Sequence, residues 1–326
     1  TLLVATGFHR GTTRDELRAK LGDDVFLHEK VVVHGCRDKD SNVKIGTLPS
    51  GAPLVIDRLA AETDLLVSEG FIEPHFFAGF SGGRKSVLPG ICDQVTVLGK
   101  HCSRFIDSQY ARSGILRNNP LHRDMLAAAH MAKLAYIVNV VIDEDKHTVA
   151  AFAGEMEQAH EAGCDFLSRY CEVRAAPADI VITSNGGAPL DQNIYQCVKG
   201  LTAAEASAKE GAVLIMCAGL ADGHGGEGFY HNIADNDPAE FERACIDRPK
   251  DETLPDQWTS QIFARILAHH PVIMVTDLCD HQMLKDMHMT PVNTIEEALK
   301  LAFEMKGADA KVAVIPDGLG VVVAQR

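Results

Sequence analysis

The sequence has few aromatic residues, little positive charge and no long apolar run. Only 6% of the 326 residues are aromatic, and 31 Lys and Arg residues stand against 45 Asp and Glu residues, for a formal net charge of −14. Nucleic acids and anionic membranes bind basic patches, which this balance disfavours. No apolar run approaches the length of a bilayer span. We therefore expect no nucleic acid and no membrane among the partners.

The cysteines form no closely spaced pair. Nine of them are dispersed along the chain without a Cys-x-x-Cys motif. An odd, dispersed set indicates reduced thiols rather than a disulfide framework, and no secretory signal is visible, so we expect a cytoplasmic protein. The chain opens directly on the apolar run 2–6, which predicts a strand from the first residues, and we expect that N-terminal sequence is missing.

Length and the alternation of strand and helix patterns predict the fold class. The 326 residues, 46% of them hydrophobic, are enough for two domains with sizeable cores. Apolar strands that alternate with helices favour largely parallel sheets covered on both faces, so we expect an α/β fold. The predicted strands cover residues 2–6, 30–34, 43–48, 64–69, 134–143, 148–153, 179–184, 212–218, 272–276 and 311–316. The predicted helices cover residues 93–107, 121–133, 155–170, 193–210, 238–246, 258–268 and 294–306.

The segment Glu73-Pro-His-Phe-Phe-Ala-Gly-Phe-Ser-Gly-Gly-Arg-Lys-Ser holds the densest set of reactive side chains. It follows a predicted strand. A glycine-rich turn with a basic residue at its end favours an anion, because unpaired backbone N–H groups and the helix dipole attract negative charge. The P-loop pattern fails, since Arg84 occupies the position of its second glycine. We therefore predict a phosphate cradle of another kind, formed by Ser81, Gly82, Gly83 and Lys85.

Two side chains in this segment indicate chemistry. Lys85 can serve as a covalent attachment point as well as an ion-pair partner. His75, ten residues earlier, can take or give a proton near neutral pH. Together they indicate a phosphate-bearing cofactor with acid–base chemistry beside it. The alternative is a tight turn followed by a solvated lysine.

Other candidates follow the ends of predicted strands, where ligand sites in α/β folds gather. His9 follows the first strand, and a second glycine-rich loop follows strand 179–184. On a helix that starts near residue 193, Gln196 and Lys199 are three residues apart and project from one face. An amide beside an ammonium group suits a small carboxylate, although such a pair is often only a solvated helix face.

His101 lies in a predicted helix, where a lone histidine is most often structural. If it is a metal ligand, its neutral imidazole suits a borderline metal such as nickel or zinc. His9, His75 and His101 together could also form a three-histidine zinc site. The residues alone leave these alternatives open.

Four motifs resemble the nickel-dependent lactate racemase family, with their order and spacing preserved. They are Gly7-Phe-His-Arg, the segment 73–86, Asn119-Pro-Leu-His and Asn185-Gly-Gly-Ala-Pro-Leu-Asp-Gln-Asn-Ile-Tyr-Gln-Cys-Val-Lys-Gly. The resemblance implies two α/β domains with mostly parallel sheets around a central cleft. The expected division is a first domain at 1–164, a hinge at 165–177 and a second domain at 178–301, with the tail 311–326 returning to the first.

The resemblance also implies a cofactor and roles for single residues. The cofactor is a nickel-pincer nucleotide, a pyridinium-3-thioamide-5-thiocarboxylate mononucleotide, and the enzymes that synthesise it are expected partners. Lys85 matches the lysine that holds this cofactor covalently, and His101 matches the protein ligand to nickel. His9 and His75 match the paired acid–base histidines. The residues that match the substrate-holding groups are Tyr195, Gln196 and Lys199.

The activity implied by the resemblance is racemisation of a small 2-hydroxy acid, lactate by default, through a flat 2-keto acid. A histidine takes the hydroxyl proton while hydride passes to the cofactor, and hydride then returns to the opposite face of the carbon. We expect the family's further N-terminal segment, which helps to bind cofactor and substrate, to be absent from this chain. Two alternatives remain, a zinc-dependent hydrolase and a non-catalytic nucleotide-binding protein.

Overall fold

The computed structural model describes residues 1–324. Backbone contacts divide the chain into two compact units, each assembled from separate stretches. Unit 1 comprises Thr1–Glu73, Phe80–His101 and Ile115–Leu167, and unit 2 comprises Pro74–Gly79, Cys102–Gly114 and the chain from Ser168 onward. The sequence predicted two domains formed by the continuous stretches 1–164 and 178–301, with only the tail returning to the first. The units are interleaved instead, because two short stretches of the first half pack with the second.

The described residues form helices and strands in near-regular alternation. In chain order the elements are β1 (Leu2–Val4), α1 (Arg14–His28), β2 (Val31–Val33), β3 (Asn42–Thr47), β4 (Pro53–Asp57), α2 (Arg58–Glu62), β5 (Leu66–Phe71), β6 (Pro74–His75), β7 (Gly79–Phe80), α3 (Gln94–Lys100), α4 (Ser103–Ile106), α5 (Pro120–Met131), β8 (Leu134–Ile142), β9 (Thr148–Gly154), α6 (Met156–Cys171), β10 (Glu172–Arg174), β11 (Ala178–Ser184), α7 (Ile194–Ala206), β12 (Ala208–Cys217), α8 (Glu227–Ala234), α9 (Pro238–Asp247), α10 (Gln257–His269), β13 (Val272–Val275), α11 (His281–Asp286), β14 (Thr290–Val292), α12 (Ile295–Lys306), β15 (Val312–Ile315) and β16 (Val322–Ala324).

Small sheets make up unit 1. Strand β8 pairs in parallel with β5 and antiparallel with β9. Strands β1 and β2 pair in parallel, and β3 and β4 form an antiparallel pair. Helix α1 begins at a capping box, in which the Thr13 side chain accepts from the Glu16 backbone and the Glu16 side chain accepts from the Thr13 backbone. Strand β4 was absent from the predicted elements.

Unit 2 is built on a parallel sheet of five strands in the order β14-β13-β12-β11-β15. The central strand is β12, and its residues 213–216 have no exposed surface. Strands buried on both faces belong to sheets covered by helices, which confirms the predicted α/β class with largely parallel pairing. The carboxyl end of β11 leads into the glycine-rich loop before α7, as the sequence predicted.

The tail of the chain belongs to unit 2. Strand β15 pairs with β11 in the five-stranded sheet, and β16 pairs with β10. The expected return of 311–326 to the first domain is therefore not met over the described part of the tail. The reason is that the apolar residues of β15 complete the parallel sheet at its β11 edge.

The predicted helix 93–107 is two helices. Helix α3 ends at its C-cap His101, and Cys102 has an extended backbone, with φ −63° and ψ 151°, before α4 begins. The break turns His101 from a mid-helix position into a helix end. No helix in residues 1–324 combines the length and apolarity needed to cross a bilayer.

Candidate active site

The turn that carries Lys85 depends on its glycines. Gly82 has φ 76° and ψ −177°, a backbone region that only glycine adopts readily. Gly83 has φ 50°, and a Cβ there would lie 2.8–3.0 Å from side-chain atoms of His160. Lys85 follows in a short 3-10 turn, Gly83–Ser86, where its side chain is half-buried and so reaches solvent.

Several backbone N–H groups of this turn are used inside the fold. Gly83 N donates to Asn139 Oδ1 at 2.7 Å, and Lys85 N donates to Gly82 O at 3.1 Å. Ser81 is bonded to the preceding strand through both its backbone N–H and its hydroxyl. A single 3-10 turn also sums few peptide dipoles. The prediction that unpaired N–H groups cradle an anion is therefore wrong for these three residues, because Asn139 and neighbouring carbonyls already accept from them.

Arg84, the residue that breaks the P-loop pattern, is fully buried. Its Nη1 donates to Phe80 O at 2.9 Å, and its Nε donates to His122 Nδ1 at 3.0 Å. His160 Nε2 lies 2.8 Å from Arg84 Nη1 and donates to Ser81 O at 2.8 Å, since a carbonyl oxygen can only accept. Burial lowers the pKa of Arg84 to about 10, so the guanidinium stays charged at neutral pH. Burial, and secondarily the Arg84 charge, lowers the pKa of both histidines to about 3. The neutral His122 ring can accept from Arg84 at Nδ1, whereas the neutral His160 ring carries its proton on Nε2 and donates it to Ser81 O.

His101 is oriented as a metal ligand would be. The residue is 5% exposed, and its Nδ1 lies 2.8 Å from Val97 O, so Nδ1 carries the proton and donates to the helix end. Burial holds the pKa of His101 well below its usual value, and positive charge on Lys100, Lys85 and His9 lowers it further. The imidazole is therefore neutral, with its Nε2 lone pair turned away from the backbone contact. A ligating histidine commonly donates its other N–H in this way.

His9 lies in an exposed loop after β1. Two backbone hydrogen bonds connect this loop with the Lys85 turn. Gly7 N donates to Gly90 O at 2.9 Å, and Gly90 N donates to Lys85 O at 3.1 Å. Three predicted residues, His9, Lys85 and His101, thus belong to unit 1.

His75 lies in the stretch Pro74–Gly79, which belongs to unit 2, whereas Glu73 and the residues from Phe80 onward in this segment belong to unit 1. Its ring stacks on Phe76, with centroids 5.1 Å apart, and meets Phe77 edge to face at 4.6 Å. Ala78 N donates to His75 Nδ1 at 3.2 Å. Because Nδ1 accepts, the neutral ring in this arrangement carries its proton on Nε2. The expected position of His75 beside the Lys85 turn was inferred from sequence distance, but the two residues belong to different units.

Helix α7 presents Gln196 and Lys199 in its first turns. Its N-cap, Asn193, accepts from Gln196 N at 3.0 Å and donates to Asp222 at 2.9 Å, which fixes where the helix starts. The fully buried Asn185 donates to Gln196 O at 2.9 Å. Both predicted side chains are partly exposed. They share one helix face near a positive helix end, an arrangement that suits a carboxylate.

Tyr195 is tied to a residue that the sequence did not single out. The indole N–H of Trp258, the only tryptophan of the chain, donates to Tyr195 Oη at 2.9 Å. The Tyr195 ring also packs edge to face on Phe229, with centroids 5.3 Å apart. Burial raises the pKa of Tyr195 to about 12, so the phenol keeps its proton and can donate it in a hydrogen bond. The sequence feature that could have pointed to Trp258 is that it is the only tryptophan of the chain.

The site residues divide between the units. Within residues 1–324, no three His, Cys, Asp or Glu side chains converge as a set that could hold a metal ion. The three histidines of the zinc alternative belong to different units, with His9 and His101 in unit 1 and His75 in unit 2. Unit 1 holds His9, Ser81, Gly82, Gly83, Lys85 and His101, and unit 2 holds His75, Tyr195, Gln196 and Lys199.

Family models match two stretches of the chain, and the first stretch includes residues 74–79 and 102–114, which belong to unit 2. The family model for the lactate racemase N-terminal domain matches residues 1–114, and the model for the lactate racemase C-terminal domain matches residues 173–323. The lactate racemase of Lactiplantibacillus plantarum is 58% identical over 323 residues, which are 99% of this chain and 76% of that protein. The lactate racemase of Thermoanaerobacterium thermosaccharolyticum is 57% identical over 326 residues, covering 100% of this chain and 76% of that protein.

Solved structures give the same result. The lactate racemase apoprotein from Thermoanaerobacterium thermosaccharolyticum superposes with a TM-score of 0.97 at 57% identity, covering 99% of this chain and 78% of that one. A Thermotoga maritima protein at 19% identity shares the fold alone, with a TM-score of 0.73 over 99% of this chain and 85% of that one. The chain belongs to the lactate racemase family. It is therefore an isomerase of the racemase type.

Proposed function

We propose that this enzyme interconverts the two enantiomers of a small 2-hydroxy acid, with lactate as its first candidate substrate. One observation carries the proposal beyond the family match. The neutral imidazole of His101 donates its Nδ1–H to Val97 O, which orients the ring, and His101 belongs to the same unit as Lys85 and His9. That is the arrangement needed for one protein ligand to a metal whose other ligands come from a cofactor.

The residues of unit 1 fit a nickel-pincer nucleotide. Lys85 offers an amine at the end of a rigid turn for covalent attachment, and His101 offers one nitrogen ligand that suits nickel. The residues Ser81, Gly82 and Gly83 act by shaping the turn, since their backbone and hydroxyl groups bond within the fold. When bound, the cofactor would accept hydride from the substrate C2 and return it.

Two histidines would move the hydroxyl proton, one for each enantiomer. Each must be neutral to take the proton and charged to return it, and an imidazole does both near neutral pH. His9 and His75 have these roles in the proposal. Their pairing on one substrate carbon follows from the family match and not from a distance between them.

The contact between His75 and Ala78 must open during turnover. If Nε2 is the catalytic nitrogen, Nδ1 carries a hydrogen in both the base and the acid forms and cannot accept from Ala78 N. If Nδ1 is the catalytic nitrogen, the substrate hydroxyl has to replace Ala78 N as its partner. Either route breaks the 3.2 Å bond of the unliganded enzyme.

The substrate carboxylate would bind at the start of α7. Lys199 supplies a positive charge, Gln196 an amide N–H, and Tyr195 a protonated phenol that Trp258 holds in place. Fixing the carboxylate leaves C2 in a defined position, which is the main contribution of binding to rate. Shape at this site would decide which 2-hydroxy acids are accepted beside lactate.

The proposal places the enzyme in the cytoplasm, where the cofactor-synthesis enzymes would load it. Its nine cysteines are free thiols, as a reducing compartment requires. Because other enzymes would attach the cofactor, we expect activity only when this chain is co-expressed with them.

The decisive experiment is intact mass and chiral analysis after co-expression with those enzymes. We expect a covalent adduct on the parent protein and conversion of either lactate enantiomer to the racemate. Lys85→Ala should lack the adduct and the activity. Lys199→Ala, the matched lysine control, should keep the adduct and lose turnover. A fully loaded parent that leaves every tested 2-hydroxy acid unchanged would refute the proposal.

A further inference from the structure

The side chains of Arg84 and Lys85 leave the same short turn toward different environments. Arg84 is 0% exposed, whereas Lys85 is half-buried and reaches solvent. An arginine is seldom buried completely, because its charge loses hydration. The side chain must therefore make bonds that offset this cost. Most of those bonds lie within the turn that precedes Lys85, and one reaches His122.

The guanidinium of Arg84 contacts three consecutive backbone carbonyls. Its Nη1 lies 2.9 Å from Phe80 O, 3.4 Å from Ser81 O and 3.3 Å from Gly82 O. Three carbonyls around one nitrogen hold the chain in a tight curve. The same curve places Gly82 and Gly83 at positive φ, a conformation that costs about 1–3 kcal/mol in other residues and needs support from its surroundings.

Two helices support the arginine and its turn. His122 on α5 accepts from Nε at 3.0 Å, and His160 on α6 donates its Nε2–H at 2.8 Å to Ser81 O, one of the carbonyls that Nη1 contacts. Strand β8 adds a further anchor, because Asn139 Oδ1 accepts from Gly83 N at 2.7 Å. The turn is thus bonded to three separate elements of unit 1. Lys85 follows directly, so its backbone direction is fixed by the same contacts.

We propose that Arg84 is a positioning residue for Lys85, holding the carbonyls of residues 80–82 so that the lysine amine is presented in one direction. The inference rests on the proposed function for the chemistry of Lys85, but the clamp itself is a property of the unloaded protein. A covalently held cofactor can meet its other ligand only if its attachment point is fixed. Arg84 fulfils this need without touching substrate or cofactor.

Amide hydrogen exchange on the unloaded full chain tests the clamp. In Arg84→Gln, the amides of Gly83 and Lys85 should exchange about tenfold faster or more, the factor expected for losing one ordinary hydrogen bond. Arg84→Lys should not restore protection, since an ammonium cannot replace the planar fork. His122→Asn, which removes one bond only, gives a milder variant if Arg84→Gln folds poorly.

The matched control is Arg112→Gln. Arg112 also donates to backbone carbonyls, those of Ser108 and Ala111, but in unit 2. It should leave the exchange of Gly83 and Lys85 unchanged. The proposal would be overturned if these amides exchange at the parent rate in both Arg84→Gln and His122→Asn. It would also be overturned if their faster exchange is fully explained by a loss of global stability.

A second measurement separates positioning from general stability. Trace acylation with acetic anhydride should change the labelling of Lys85 relative to Lys199 in Arg84→Gln, and the Lys85 adduct should fall after co-expression with the synthesis enzymes. An adduct equal to that of the parent overturns the positioning role. If the parent protein forms no adduct but Arg84→Gln still speeds amide exchange of Gly83 and Lys85, the proposed function is refuted. The role of Arg84 in holding the turn would then still stand.

Discussion

Substituting Gly82 by alanine should cost more than its backbone conformation alone explains. At φ 76° and ψ −177° an alanine is strained by about 1–3 kcal/mol. The added Cβ would also lie 2.9 Å from Asn139 Oδ1, 3.0 Å from Phe71 O and 3.1 Å from Ile72 Cγ1. Overpacking of this kind costs about 1–3 kcal/mol more. The expected total for Gly82→Ala is about 2–6 kcal/mol of unfolding free energy.

Gly22 provides a matched control in the same unit. It has φ 75° and ψ 163°, close to the conformation of Gly82, but nothing lies within 4 Å of its Cβ position. Gly22→Ala should therefore lose only the backbone part, about 1–3 kcal/mol. Urea unfolding followed by far-ultraviolet circular dichroism measures both variants, and intact mass measures the Lys85 adduct. Gly82→Ala should reduce the adduct, whereas Gly22→Ala should keep it. Equal losses of free energy in the two variants would refute the steric argument.

Three further outcomes are expected. His101→Ala should keep the organic adduct but lose nickel, measured by intact mass and elemental analysis; retention of stoichiometric nickel would contradict its role as ligand. His9→Ala and His75→Ala should each still oxidise one lactate enantiomer to the keto acid in a single turnover, and the two should differ in which; loss of the same enantiomer in both would contradict the two-sided assignment. His122 and His160 have pKa values of about 3 in the folded protein and near 6.5 in the unfolded chain. Below pH 6.5 the unfolded chain therefore binds more protons than the folded protein. Unfolding free energy should therefore fall as pH drops from about 6.5 towards 3, by about 1.4 kcal/mol per unit for each histidine. Replacing both by Gln should flatten that slope in urea titrations; an unchanged slope would contradict the pKa assignment.

The sequence was a good guide to the long regular elements. Strand 179–184 and the helix after residue 193 lie close to where the structure has them, because apolar periodicity and Asn193 as N-cap are local signals. The break after His101 was missed, since Cys102 carries no glycine or proline to mark it. The short strand β4 was missed because five residues give little periodicity.

The chemistry of single side chains could be predicted less well than their positions. Glycines before Lys85 were correctly taken as a tight turn, but where their N–H groups point depends on Asn139, which lies more than fifty residues later and pairs through tertiary contacts. Arg84 was treated as a misfit in a known pattern. Its burial depends on His122 and His160, and no local feature of the sequence links these three residues.

The interleaving of the two units limits how this enzyme can be recombined with its relatives. The chain passes between the units at 73/74, 79/80, 101/102, 114/115 and 167/168. A single-junction chimera at 167/168 would import the donor's Gln196 and Lys199, while His75, which belongs to the same unit, stays with the recipient. Fragment exchange that keeps this unit intact must transplant residues 74–79 and 102–114 as well. A substrate preference moved between relatives therefore has to be inherited as three pieces of sequence, not one.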